Sequence, residues 1–263
     1  MSSAHASSGS RLVYIDWFRF IVVSSLAPFH AAISFTGLGS VYVYDTPVRD
    51  ILLAGGRPSG LGPPALGYFT VFLDTRFMHL LFLLSGIGAV MSLRKRTGAE
   101  FMRARCTRLL VPLLVCVPPV ISVQSRLGAV SFGTFSGSFF AWFPGYFVGL
   151  FTGLFLRFSY DWVHLWFLGY LFVFSAMSLP LFLGILRKGE SSRILSGVRR
   201  FTAMPMLLIP ALWTGLLEAV FRPGWPGSLN LVNDWAIFSL NLSFFIAGFI
   251  VGMVPELPKA VER

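Results

Sequence analysis

Long apolar runs alternate with short polar ones along this chain, and the runs have membrane length. Six of them, at about 15–37, 68–93, 107–125, 162–186, 201–221 and 235–254, are predicted to be helices that cross a bilayer, since a spanning helix needs about 20 mostly apolar residues. A further stretch at 139–156, FFAWFPGYFVGLFTGLFL, is apolar enough to span but carries Pro144 and three glycines. It is read as an aromatic re-entrant or interfacial segment. The pattern therefore predicts an all-α, multi-pass transmembrane helical bundle. The stretch at 38–67 is rich in Gly and Pro, so it is expected to be irregular. No internal repeat and no low-complexity segment interrupts the pattern.

Composition agrees with the pattern. The chain is 55% hydrophobic and 12% charged, with a mean hydropathy of +0.74. A soluble domain carries about twice that charged fraction. The net charge of +10 does not imply a nucleic-acid partner, because the cations cluster between apolar runs as topology signals do. Residues 94–108 hold Arg94, Lys95, Arg96, Arg103, Arg105 and Arg108 against Glu100, and residues 187–200 hold Arg187, Lys188, Arg193, Arg199 and Arg200 against Glu190. By the positive-inside rule both loops are cytoplasmic, and with six spans both termini are too. Residues 1–12 read as a disordered cytoplasmic segment, 13–254 as the membrane domain and 255–263 as a cytoplasmic tail. The first apolar run carries Asp16 and Arg19, so it is not read as a cleavable signal. Cys106 and Cys116 lie ten residues apart, ~15 Å along a helix. That is too far for a disulfide, and two cysteines make no metal site.

The candidate chemistry starts in the first run, RLVYIDWFRFIVVSSLAPFHAAISF. Arg19 and His30 are eleven residues apart, which is three turns plus about 20° and a rise of ~16 Å. Both positions thus share a helix face, and Asp16, three residues before Arg19, lies on the same side. An Arg or Asp inside a bilayer costs about 2.5–3.5 kcal/mol. Three such groups on one face point to a functional site, with Asp16 orienting Arg19. The predicted topology also gathers Asp74, Arg76 and His79 of the second span and His164 of the fourth near the outer face, as a possible acceptor site. Interfacial anchoring explains Asp74, Arg76, Asp161 and His164 equally well.

Four motifs follow one another: Arg-x10-His at Arg19 and His30, FLLSG at 82–86, Arg-x-x-Arg at Arg105 and Arg108 followed by LLVP, and HLWFLGYL at 164–171. Together they resemble the acyltransferase-3 family of membrane O-acyltransferases, nearest the bacterial branch associated with succinylation of periplasmic glucans. The resemblance implies transfer of an acetyl or succinyl group from a cytoplasmic acyl-CoA to a hydroxyl of an extracytoplasmic glycan. It implies a multi-pass protein of the bacterial inner membrane, with acyl-CoA as co-substrate and no bound cofactor or metal. In that family the Arg and His of the first motif are required for activity, and the basic doublet maps onto Arg105 and Arg108. The family usually has more spans than six, and this chain ends at VPELPKAVER just after the sixth. The resemblance therefore implies a short or C-terminally truncated member.

The residue types suit that chemistry. Arginine forks bind phosphate bidentately, which suits Arg19, Arg105 and Arg108 to the phosphate-rich end of acyl-CoA. His30 as a neutral imidazole can take the acceptor's proton or carry the acyl group itself, and the sequence leaves both open. Ser85 and Gly86 read as helix-packing residues near the site. Two other classes fit the pattern. One is a transporter or export component for a glycan or anionic lipid, with the charges lining a conduit. The other is an inactive fragment.

Overall fold

The computed structural model describes residues 13–33, 64–131, 133, 135–152, 166–199, 203–224 and 235–254. Among them every regular element is helical. The chain forms two compact units, residues 1–84 and 85–263. Three of the described helical stretches are long and apolar enough to cross a membrane: Gly98–Leu127, Trp166–Lys188 and Trp235–Met253. The apolar cores of three other predicted spans are shorter: Phe20–Phe29, Phe77–Leu93 and Ile209–Phe221.

In the first unit, α1 (Val13–Ser24) and α2 (Leu26–Ile33) take the place of one continuous predicted helix. Pro28 explains the break. It has no N–H for the Ser24 carbonyl, and its ring crowds that carbonyl. The break is local, since the Ser25 amide donates to Ile21 O at 3.0 Å and the Phe29 amide to Ser25 O at 3.2 Å. The Ser25 hydroxyl also donates to Ile21 O at 2.7 Å, a back-bond that bends helices. Val22, Phe29 and Ala32 are buried, whereas Trp17, Phe18, Phe20, Ile21 and Val23 are exposed. The buried residues fall about seven and three apart, one stripe of a helix. Phe29 meets Phe77 of α3 (Pro64–Leu93) edge-on, with ring centres 6.2 Å apart. This helix starts at Pro64, inside the stretch expected to be irregular. A proline is well placed at the first helical position, where its missing N–H costs nothing.

The second unit has an aromatic core. From α8 (Trp166–Lys188) come Trp166, Tyr170, Phe174 and Phe182; from α11 (Trp235–Met253) come Phe238, Phe245 and Phe249. Between these two helices lie α9 (Arg193–Arg199) and α10 (Ala203–Phe221). Phe174 packs on Phe238 at 5.1 Å, and Phe182 stacks on Phe249 at 3.7 Å. Successive rings thus pair in the same order along both helices, so α8 and α11 run parallel. Arg94, just past the end of α3, reaches Met253 Sδ at 3.9 Å, while Gly86 lies against Phe245 and Phe249. The last turns of α3 therefore run parallel to α11 as well.

One long helical stretch carries the other direction. It comprises α4 (Gly98–Arg105), α5 (Val111–Cys116) and α6 (Ser122–Ser131), joined by π-helical turns at Cys106–Leu110 and Val117–Ile121. Its start packs on the far end of α8, because a Cβ on Gly98 would sit 3.2 Å from Leu183 Cδ1. The ends of α3, α8 and α11 and the start of α4 thus meet at one end of the unit. Both basic loops, 94–108 and 187–200, belong to that end. The stretch α4–α6 runs the other way, and α7 (Phe139–Thr152) follows it.

A basic pocket and the family motifs

Every cation of the 94–108 loop is placed by a turn and a cap. Thr97 is the N-cap of α4. Its hydroxyl accepts from the Glu100 amide at 3.3 Å, and Glu100 Oε2 accepts from the Thr97 amide at 2.8 Å and from its hydroxyl at 3.0 Å. This reciprocal cap satisfies two helix-end donors. It also fixes where Lys95 and Arg96, on the preceding turn, stand relative to α4.

The next turn is wider. The Val111 amide donates to Cys106 O, five residues back, as a π turn requires. Pro112 supplies the cause: in an α-helix its ring would crowd the Arg108 carbonyl, four residues earlier. The Thr107 hydroxyl satisfies the loosened backbone, donating toward Arg103 O and Ala104 O at 3.2 Å each. Arg103 lies before this turn and Arg108 within it. With Lys95, Arg96, Glu100 and Thr107 they line a pocket of about 380 Å³. Four cations there face one carboxylate, and that carboxylate is held by Thr97.

The basic doublet is therefore split. Arg108 lines the pocket, but Arg105 lies over the ring of the buried Phe101, its guanidinium carbon 5.0 Å from the ring centre. Arg103 lines the pocket with Arg108.

The other motifs divide between packing and positions whose side chains are not described. In FLLSG, Phe82, Leu84 and Gly86 are buried and Ser85 is half-buried. A Cβ on Gly86 would overlap Phe245 O and lie 2.8 Å from Phe249 N, so this glycine allows two backbones to touch. In HLWFLGYL the described residues Trp166, Gly169, Tyr170 and Leu171 are buried in the aromatic core, and His164 lies outside the described residues. The backbone of Asp16 and Arg19 is helical in α1, that of His30 in α2, and that of Asp74 and Arg76 in α3; their side chains lie outside the described part. His79 is half-buried in α3. At the end of α10, Glu218 and Arg222 form a two-pronged ion pair, with both N–O distances 2.7 Å.

Among the described residues every regular element is helical, and three helical stretches are long and apolar enough to cross a membrane, as in a membrane protein. The family model described as an acyltransferase domain, acyltransferase family 3, matches residues 12–263. The chain belongs to that family. No curated protein and no solved structure matches it.

Proposed function

We propose that the protein transfers an acyl group, acetyl or succinyl, from a cytoplasmic acyl-CoA to a hydroxyl of an extracytoplasmic glycan, as an O-acyltransferase of the bacterial inner membrane. The observation that carries this reading is the family match over residues 12–263, within which the Arg-x10-His motif falls on the paired segments α1 and α2. Backbone hydrogen bonds continue past Ser25, so one helical path still joins the two positions.

In this reading Arg19, Arg105 and Arg108 bind the phosphates of the donor, because a guanidinium meets a phosphate with two parallel hydrogen bonds. Asp16 orients Arg19. His30 removes the proton from the acceptor hydroxyl as its oxygen attacks the thioester carbonyl. The C–S bond then breaks, and the CoA thiolate takes a proton to leave as the thiol. Asp74, Arg76, His79 and His164 are the candidates for holding the sugar hydroxyls. The test is mass spectrometry of envelope glycans from cells with and without the gene. Loss of an acetyl or succinyl mass from a glycan in the deletion strain, restored by the gene, supports the reading. Identical glycan acylation in both strains contradicts it.

A further inference from the structure

We infer that the pocket at the start of α4 is a site for the phosphate headgroup of an anionic phospholipid, distinct in its lining from the donor-binding arginines save for Arg108 at its edge. Two observations meet here. Lys95, Arg96 and Arg103 line the pocket beside Arg108 and are exposed to solvent, as is Thr107. Along the same helical stretch the exposed surface then turns apolar: Val111, Leu114 and Val115 are 50%, 49% and 64% exposed, while Leu113 between them is buried. Val111, Leu114 and Val115 are spaced three and four residues apart on α5, so they form one stripe, directly after the π turn that carries Thr107 and Arg108.

A ligand that fits both halves carries an anion and, within a few turns, a hydrocarbon chain. Inorganic phosphate fits only the first half, and exposed cations hold a small soluble ion weakly because water and salt screen them. A lipid headgroup is already confined to the membrane surface. There nearby Lys and Arg side chains attract an anionic lipid. The second basic loop strengthens the field, since Arg187 and Lys188 lie at the same end of the unit, one turn past Leu183, which packs on Gly98.

The experiment uses the full chain in nanodiscs of phosphatidylcholine and phosphatidylglycerol in equal parts, released for native mass spectrometry. The wild type is expected to retain phosphatidylglycerol over phosphatidylcholine by roughly tenfold, ~1.4 kcal/mol of preference. The Lys95→Gln/Arg96→Gln/Arg103→Gln variant leaves Arg105 and Arg108 in place. It is expected to lose that preference while melting, in pure phosphatidylcholine, at the wild-type temperature. A companion Arg103→Lys variant keeps the charge and is expected to keep the preference. Equal retention of both lipids by the wild type overturns the inference, and so does an unchanged preference in the triple variant. Wild-type protection from heat by millimolar inorganic phosphate equal to that by phosphatidylglycerol also overturns it and assigns the pocket to a soluble phosphate. A triple variant with intact lipid preference but raised KM for acyl-CoA overturns it in favour of the donor.

Discussion

Arg103 and Arg108 line one pocket although five residues separate them, as the outer positions of the face that Glu100, Arg103, Ala104, Thr107 and Arg108 form at spacings of three and four. Arg108 lies in the π-helical turn that begins at Cys106. Pro112 holds the turn open, so Pro112→Ala is expected to let it tighten. The variant should melt higher, since residue 112 regains an N–H for the Arg108 carbonyl. At the same time Arg108 should swing away from Arg103, and the KM for acyl-CoA should change by several-fold. Melting and steady-state kinetics of the one variant check both effects. A variant that gains stability with unchanged kinetics removes Arg108 from the donor's surroundings.

Arg105 makes a different contact from its motif partner, which separates the two by mutation. Arg105→Gln removes the cation over Phe101, a contact worth about 0.5–2 kcal/mol, as well as a charge. It is expected to lower the melting temperature and weaken the donor. Arg108→Gln, on an exposed residue, is expected to leave stability within about 0.5 kcal/mol. Thermal unfolding in detergent, run side by side with donor KM, distinguishes them.

The two glycine contacts between α3 and α11 predict an order of damage. A Cβ at Gly86 meets the backbone of Phe245 and Phe249, which cannot move aside. A Cβ at Gly252 sits 3.0 Å from Val90 Cγ2, the end of a side chain. Gly86→Ala is therefore expected to cost about 1–3 kcal/mol, and Gly252→Ala distinctly less. Melting of the purified variants measures the order.

The cap on α4 should be local in its effect. Thr97→Ala leaves the Glu100 amide without its acceptor and costs about 1 kcal/mol. Because the same cap sets the turn carrying Lys95 and Arg96, hydrogen exchange at residues 95–101 should rise, while exchange in α8 and α11 should stay unchanged.

The apolar runs and the two basic loops were legible in the sequence, because membrane burial writes hydrophobicity over whole segments and topology writes charge between them. The all-helical class followed from them. What sequence could not supply was local register. The arithmetic for Arg19 and His30 assumed one straight helix, and Pro28 divides it. Nor did the sequence anticipate the widened turn at Cys106–Leu110. Both features lie beside prolines visible in the sequence, Pro28 and Pro112. Whether a proline kinks, breaks or widens a helix depends on which carbonyl its ring meets and what the neighbouring hydroxyls can satisfy. The Thr97–Glu100 cap carried a usable signal, Thr-x-x-Glu before an apolar run, and it locates the start of α4 to the residue.

The central claim rests on the imidazole of His30, and acyl transfer by a His30→Ala variant tests it most directly. The variant should reach the membrane at the wild-type level, and transfer from acyl-CoA to the envelope glycan should fall by about 10²–10⁴, the worth of a positioned general base. Glycan acylation at the wild-type rate by a fully inserted His30→Ala protein contradicts the account.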